Sequence, residues 1–115
     1  MVAAVWAASK TNPTWRILRD GMKYFALLYD VVENFAERRM PCREPHLKLV
    51  REAHERGEIV MAGALGDPPE KALIIFRVND MAAVERFALN DPYVTNGLVS
   101  GWRVRPWNVI VGGTT

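Results

Sequence analysis

The sequence has little of anything that would staple, span or strongly charge a chain. One cysteine, Cys42, stands among 115 residues. An internal disulfide needs two, so packing alone must hold the core, and a lone thiol fits a reducing compartment. Only two histidines are present, His46 and His54, and no cysteine or acid joins either at metal-ligand spacing. No metal site is expected. No apolar run approaches the roughly 20 residues of a membrane-spanning helix. Nor is there a block of one charge: 15 Lys and Arg face 13 Asp and Glu, and the longest basic cluster is Arg38-Arg39. Nucleic acid and membrane are therefore not expected partners. Gly63-Ala-Leu-Gly66 has neither the spacing nor the following helix of a phosphate loop, and no cofactor is expected.

What is present fits one globular domain. Half of the residues are hydrophobic and a quarter charged, which is ordinary for such a domain. Residues 1–21 differ from the rest: small and apolar at first, then Lys10, Arg16 and Arg19 with no acid before Asp20. That composition suits either a mitochondrial transit peptide or an unstructured N-terminal extension. The expected location is intracellular, cytoplasmic or mitochondrial. Residues 22–111 form the expected folded domain, and residues 112–115 a tail.

Met22–Tyr29 reads as a strand, with Tyr24, Ala26 and Leu28 on one face and Phe25, Leu27 and Tyr29 on the other. Asp30 to Met40 reads as a polar connection. A helix is expected from Pro45, since proline suits the first helical turn. Leu47, Val50 and His54 recur on its inner side, and Gly57 supplies a left-handed cap. Glu58–Leu65 and Lys71–Val78 read as strands around a Gly66–Glu70 turn. A second helix is capped by Asn79 or Asp80, buries Val84, Phe87 and Ala88, and ends before Asp91-Pro92. Asp91 to Gly97 reads as a loop. Leu98–Arg105 is the last strand, and Pro106 requires an edge or a bulge. Trp107 to Val111 can continue it.

The order β-α-β-β-α-β is the ferredoxin-like plan of an α+β fold: an antiparallel sheet with both helices on one face. Two consequences follow. Strands apolar on both faces need cover on the second face, which predicts a homodimer through the open sheet face. The two helices run antiparallel, so the start of the first lies near the end of the second. That brings together His46 and Asp91, which are 45 positions apart.

A carboxylate accepting one imidazole N–H fixes the tautomer and leaves the other nitrogen as a base. The plainer reading has His46 in a structural hydrogen bond and Asp91 capping a turn. Cys42 precedes His46 by four residues, but a helix starting at Pro45 leaves it outside, as an inert apolar residue. His54 lies about 12 Å along the helix from His46, too far to share a ligand. Tyr93 and Trp102 could line a pocket for a flat ligand, and Arg43 or Arg103 could hold an anionic group. Core packing and solvated surface are the alternatives.

Arg43-Glu-Pro-His46-Leu, Gly57-Glu-Ile-Val-Met-Ala-Gly63, Asn90-Asp91-Pro92-Tyr93-Val94 and Val104-Arg-Pro106-Trp107 together resemble the YCII-related domain family over about Met22 to Val111. The resemblance implies a dimeric α+β barrel with a His–Asp pair in a pocket, here His46 and Asp91. The family's chemistry is poorly defined, and cofactor-free chemistry on a small organic molecule is expected here as a hypothesis beside it. One member removes HCl from a hydroxylated quinol.

The first expectation is an enzyme of lyase, isomerase or hydrolase type, with His46 and Asp91 as a general acid/base pair and Arg43, Tyr93 and Trp102 as substrate-binding residues. The second is a non-catalytic dimeric ligand-binding or protein-interaction module. The third is a structural partner whose apolar sheet face binds a different chain.

Overall fold

A computed structural model describes residues 21–113. Of the targeting segment or extension expected at residues 1–21, residues 1–20 lie outside the described residues. The elements run β1 (Lys23–Val31), α1 (Phe35–Arg38), α2 (Met40–Glu55), β2 (Ile59–Leu65), β3 (Lys71–Val78), α3 (Met81–Asn90), α4 (Pro92–Thr95) and β4 (Val99–Trp107). One four-stranded sheet has the order β2-β3-β1-β4, with every pairing antiparallel. This is the ferredoxin-like α+β fold.

Strand parity divides the sheet as the sequence predicts. Phe25, Leu27 and Tyr29 pair with Phe76, Ile74 and Ala72 on one side and with Pro106, Val104 and Trp102 on the other. These residues share the helix-covered face. Phe25, Leu27, Ile74 and Phe76 are buried there with Ala53 from α2 and Val84, Phe87 and Ala88 from α3. Burying a side chain of that size stabilises the fold by about 2 kcal/mol. The opposite face carries Ala26 and Leu28 against Ile75 and Leu73. Met61, opposite Ile75, remains 65% exposed.

The caps account for the element ends. Asp80 Oδ1 accepts the Ala83 N–H at 3.2 Å and starts α3. Gly57, at φ 82°, takes the left-handed conformation that stops α2. Pro106 lies in the edge strand β4, where a missing N–H breaks no ladder on the outer side.

Four expectations need correction. The Asp30–Met40 connection contains a helical turn, α1, because Phe35 is buried and anchors it. Helix α2 begins at Met40, five residues before Pro45, with Pro41 in its first turn. Pro45 then lies inside the helix at an exposed position, where water can reach the carbonyl that lost its partner. His54 is exposed and does not join the core. The last strand stops at Trp107, and residues 108–111 do not extend it.

Candidate active site

The site is built around the Asp91 carboxylate, and Pro92 explains its position. Helical geometry is disfavoured before proline, so α3 stops at Asn90 and Asp91 is extended, at φ −71° and ψ 124°. Its Oδ1 accepts the Tyr93 N–H at 3.0 Å and caps α4. The expected loop here is in fact that short helix.

Asp91 is fully buried. A lone carboxylate in that position would cost several kcal/mol. Three donors meet it instead. Besides the Tyr93 amide, the Tyr29 hydroxyl donates to Oδ2 at 2.7 Å, and His46 Nδ1 lies 2.8 Å from Oδ1. A carboxylate only accepts, so Nδ1 is the donor of this bond, and in the neutral imidazole that leaves Nε2 with its lone pair. Bonds to a charged acceptor are stronger than neutral ones. Burial, and after it the charge and hydrogen bond of Asp91, push the Tyr29 phenol far above its ordinary pKa. Tyr29 therefore remains a donor throughout the physiological range.

Two rings hold the imidazole in plane. His46 stacks on Tyr93, with centroids 3.7 Å apart and planes 7° from parallel. Tyr93 meets Phe35 edge to face at 5.2 Å. The His46 side chain keeps 12% of its surface exposed. It opens onto a cavity of about 310 Å³, between the start of α2 and the middle of β2 and β3. Arg39, Arg43 and Tyr93 line the cavity with His46, and Leu47, Val50, Ala62, Gly63, Ala64 and Ile74 supply much of its apolar wall.

The fold thus gathers His46, Asp91, Arg43 and Tyr93. It does not bring Trp102 to the cavity: Trp102 faces Tyr29 across the β1–β4 ladder and packs on the main core. Arg103 reaches Asp30 on the open face at 3.3 Å. Cys42 lies on α2 one turn before His46, since the helix starts early, and packs against the Phe35, Tyr93 and Leu98 cluster. Among the described residues no group of three His, Cys, Asp or Glu could hold a metal ion. No helix there is long and apolar enough to cross a membrane.

Two site residues escaped the sequence reading. Tyr29 was legible in principle, because strand parity sends it to the helix side, where a buried hydroxyl needs a partner. Arg39 was hidden by reading its segment as a loop.

The YCII-related domain family matches residues 22–108 of the chain. No curated protein matches it. Among solved structures, it is similar to 5-chloro-2-hydroxyhydroquinone dehydrochlorinase (TftG) from Burkholderia phenoliruptrix AC1100, in complex with 2,5-dihydroxybenzoquinone. The TM-score is 0.63 at 18% identity, covering 74% of this chain and 93% of that one. A proposed antibiotic biosynthesis monooxygenase from Bacteroides thetaiotaomicron VPI-5482 aligns with a TM-score of 0.54 at 12% identity, covering 84% of this chain and 97% of that one. At these identities the likeness is one of fold.

Proposed function

The chain belongs to the YCII-related domain family, and from that premise we propose that it is a small-molecule enzyme working by general acid/base catalysis. His46 Nε2 takes a proton from a carbon or hydroxyl of the substrate. Asp91 holds the tautomer and stabilises the imidazolium that forms. The proton is then returned to the product or accompanies a leaving group, giving isomerisation or elimination. The observation that carries this reading is the 2.8 Å contact between His46 Nδ1 and a fully buried carboxylate, beside an open cavity.

The fold neighbour that removes HCl from a hydroxylated ring makes hydroxylated cyclic compounds the first substrates to try. A screen of hydroquinones, hydroxyquinones and their chlorinated forms, read by absorbance and chloride release, is the test. Turnover in the wild type should fall about 10²–10⁴-fold in His46→Ala, the usual size of a general-base contribution. Unchanged turnover in that variant would end the assignment.

The working unit in this reading is a homodimer joined through the open sheet face. Ala26, Leu28, Leu73 and Ile75 share that face with the exposed Met61. Light scattering should return twice the chain mass of 13.0 kDa, and Met61→Glu should shift the protein toward monomer. A monomeric wild type at micromolar concentration contradicts the assembly.

A further inference from the structure

Two buried polar atoms beside the cavity, the Tyr93 hydroxyl oxygen and Arg39 Nε, lack a hydrogen bond of good geometry, although Arg43 approaches the Tyr93 hydroxyl. Tyr93 as a whole is 3% exposed. Buried polar groups are nearly always satisfied, and each exception calls for a reason.

Charge points the same way. Arg39 caps the start of α2 and Arg43 follows one turn later, so both share the helix face that carries Leu47 and Val50 along the cavity. Neither guanidinium pairs with a carboxylate among the described residues. Glu44, the neighbouring acid, reaches toward Arg51. Asp91 is taken up by Tyr29, His46 and the Tyr93 amide. The start of a helix is also where the backbone dipole disfavours cations, and α2 has no acid in its first turn. Two guanidinium groups therefore stand at the mouth of an apolar cavity with no carboxylate to pair with; Arg39 lies over the Phe35 ring, 5.3 Å from its centroid, and Arg43 approaches the Tyr93 hydroxyl.

We infer that this end of the cavity is a carboxylate subsite, and that the substrate is a flat organic anion about the size of one substituted ring. The inference deepens the acid/base reading and rests on it for the chemistry at His46, though not for the binding. A guanidinium fork matches a carboxylate in two bonds, and the Tyr93 hydroxyl supplies another donor. Burial pushes the Tyr93 phenol above its ordinary pKa, against the opposing pull of Arg39 and Arg43, so it keeps the proton it would donate. Leu47, Val50, Ala62 and Ile74 suit a hydrocarbon body. A volume near 310 Å³ stands at the small end of ligand sites, which sets the size. The stack of His46 on Tyr93 puts the hydroxyl within a ring's length of the imidazole. A ligand held there by its carboxylate lies beside the base.

The test uses benzoate and benzamide, a charged and a neutral probe of nearly the same shape, titrated into the ¹⁵N-labelled full chain at neutral pH. Benzoate should bind roughly tenfold or more tightly than benzamide, as one charge-assisted hydrogen bond would give. Arg39→Gln and Arg43→Gln should each remove most of that preference and leave benzamide unaffected. Arg43→Lys, which keeps the charge and loses the fork, should fall between. Tyr93→Phe retains the ring and should weaken benzoate alone. His46→Gln should keep the preference, so loss of the catalytic reading and loss of the subsite are separate results. Equal binding of the two probes overturns the inference. So does no benzoate binding at millimolar concentration, or a preference indifferent to both arginine substitutions in variants whose spectra remain folded.

Discussion

The two histidines of the chain both lie on α2, His46 near its middle and His54 at its end, and they do different work. His54 Nδ1 lies 2.8 Å from the Ile59 carbonyl. A carbonyl only accepts, so this imidazole donates and ties the end of α2 to the start of β2. It is exposed, and no charge faces it among its hydrogen-bond partners. His46, eight positions earlier, makes a bond of the same length to a buried carboxylate, under a stacked ring and beside a cavity. Residue type and bond length are shared. What differs is the charge of the acceptor and the space left at the second nitrogen, and those two properties separate a base from a brace.

The largest effect that could break this contrast is expected at Asp91. Asp91→Ala leaves a buried hydroxyl, a backbone N–H and an imidazole without their acceptor, and should cost on the order of 3–5 kcal/mol in urea unfolding. A loss below about 1 kcal/mol, the scale of an ordinary hydrogen bond, would show that the carboxylate holds little together. Tyr29→Phe comes next. It removes one donor from the same carboxylate and should cost about 1.5–3 kcal/mol, the worth of a hydrogen bond to a charged group. His54→Ala should cost about 1 kcal/mol and leave any turnover unchanged, since it loses one neutral bond far from the cavity. Turnover that falls in His54→Ala as far as in His46→Ala would erase the distinction between the two histidines.

Asp30 gives the smallest effect and a second contrast, an exposed carboxylate against the buried one. The hydrogen bond from Lys71, with Arg103 behind it, holds the Asp30 carboxyl below its ordinary range. A lowered folded pKa means that the contribution is present above the unfolded value and is lost as pH falls through the folded one. Asp30→Asn should therefore be slightly less stable than wild type at neutral pH, and the two should converge in acid. A gap that widens toward low pH contradicts the sign.

The sheet was legible because alternation is a local property. Tyr24 to Tyr29 and Ala72 to Val78 reveal both faces without reference to the rest of the chain. The His46–Asp91 approach was legible through topology, since antiparallel helices bring the first half of one toward the end of the other, although His46 lies inside α2 and not at its start. The start of α2 was not. Pro45 and Pro41 both suit a first turn, and only the packing of Phe35 and Cys42 against Tyr93 and Leu98 decides between them. That error hid Arg39, whose role depends on lying one turn before Arg43. Trp102 was misplaced for a related reason: aromatic character does not say which residue a strand pairing will set beside it, and Tyr29 claims that position.

The central claim concerns the proton between His46 and Asp91, and histidine ¹⁵N–¹H correlation spectra report it most directly. With His46 and His54 alone to assign, the account predicts that neutral His46 is protonated at Nδ1, with a downfield, slowly exchanging ring proton. That proton should move upfield in Asp91→Asn, while the His54 signals remain in place. A neutral His46 protonated at Nε2, or a ring proton that ignores the loss of the Asp91 charge, would contradict it.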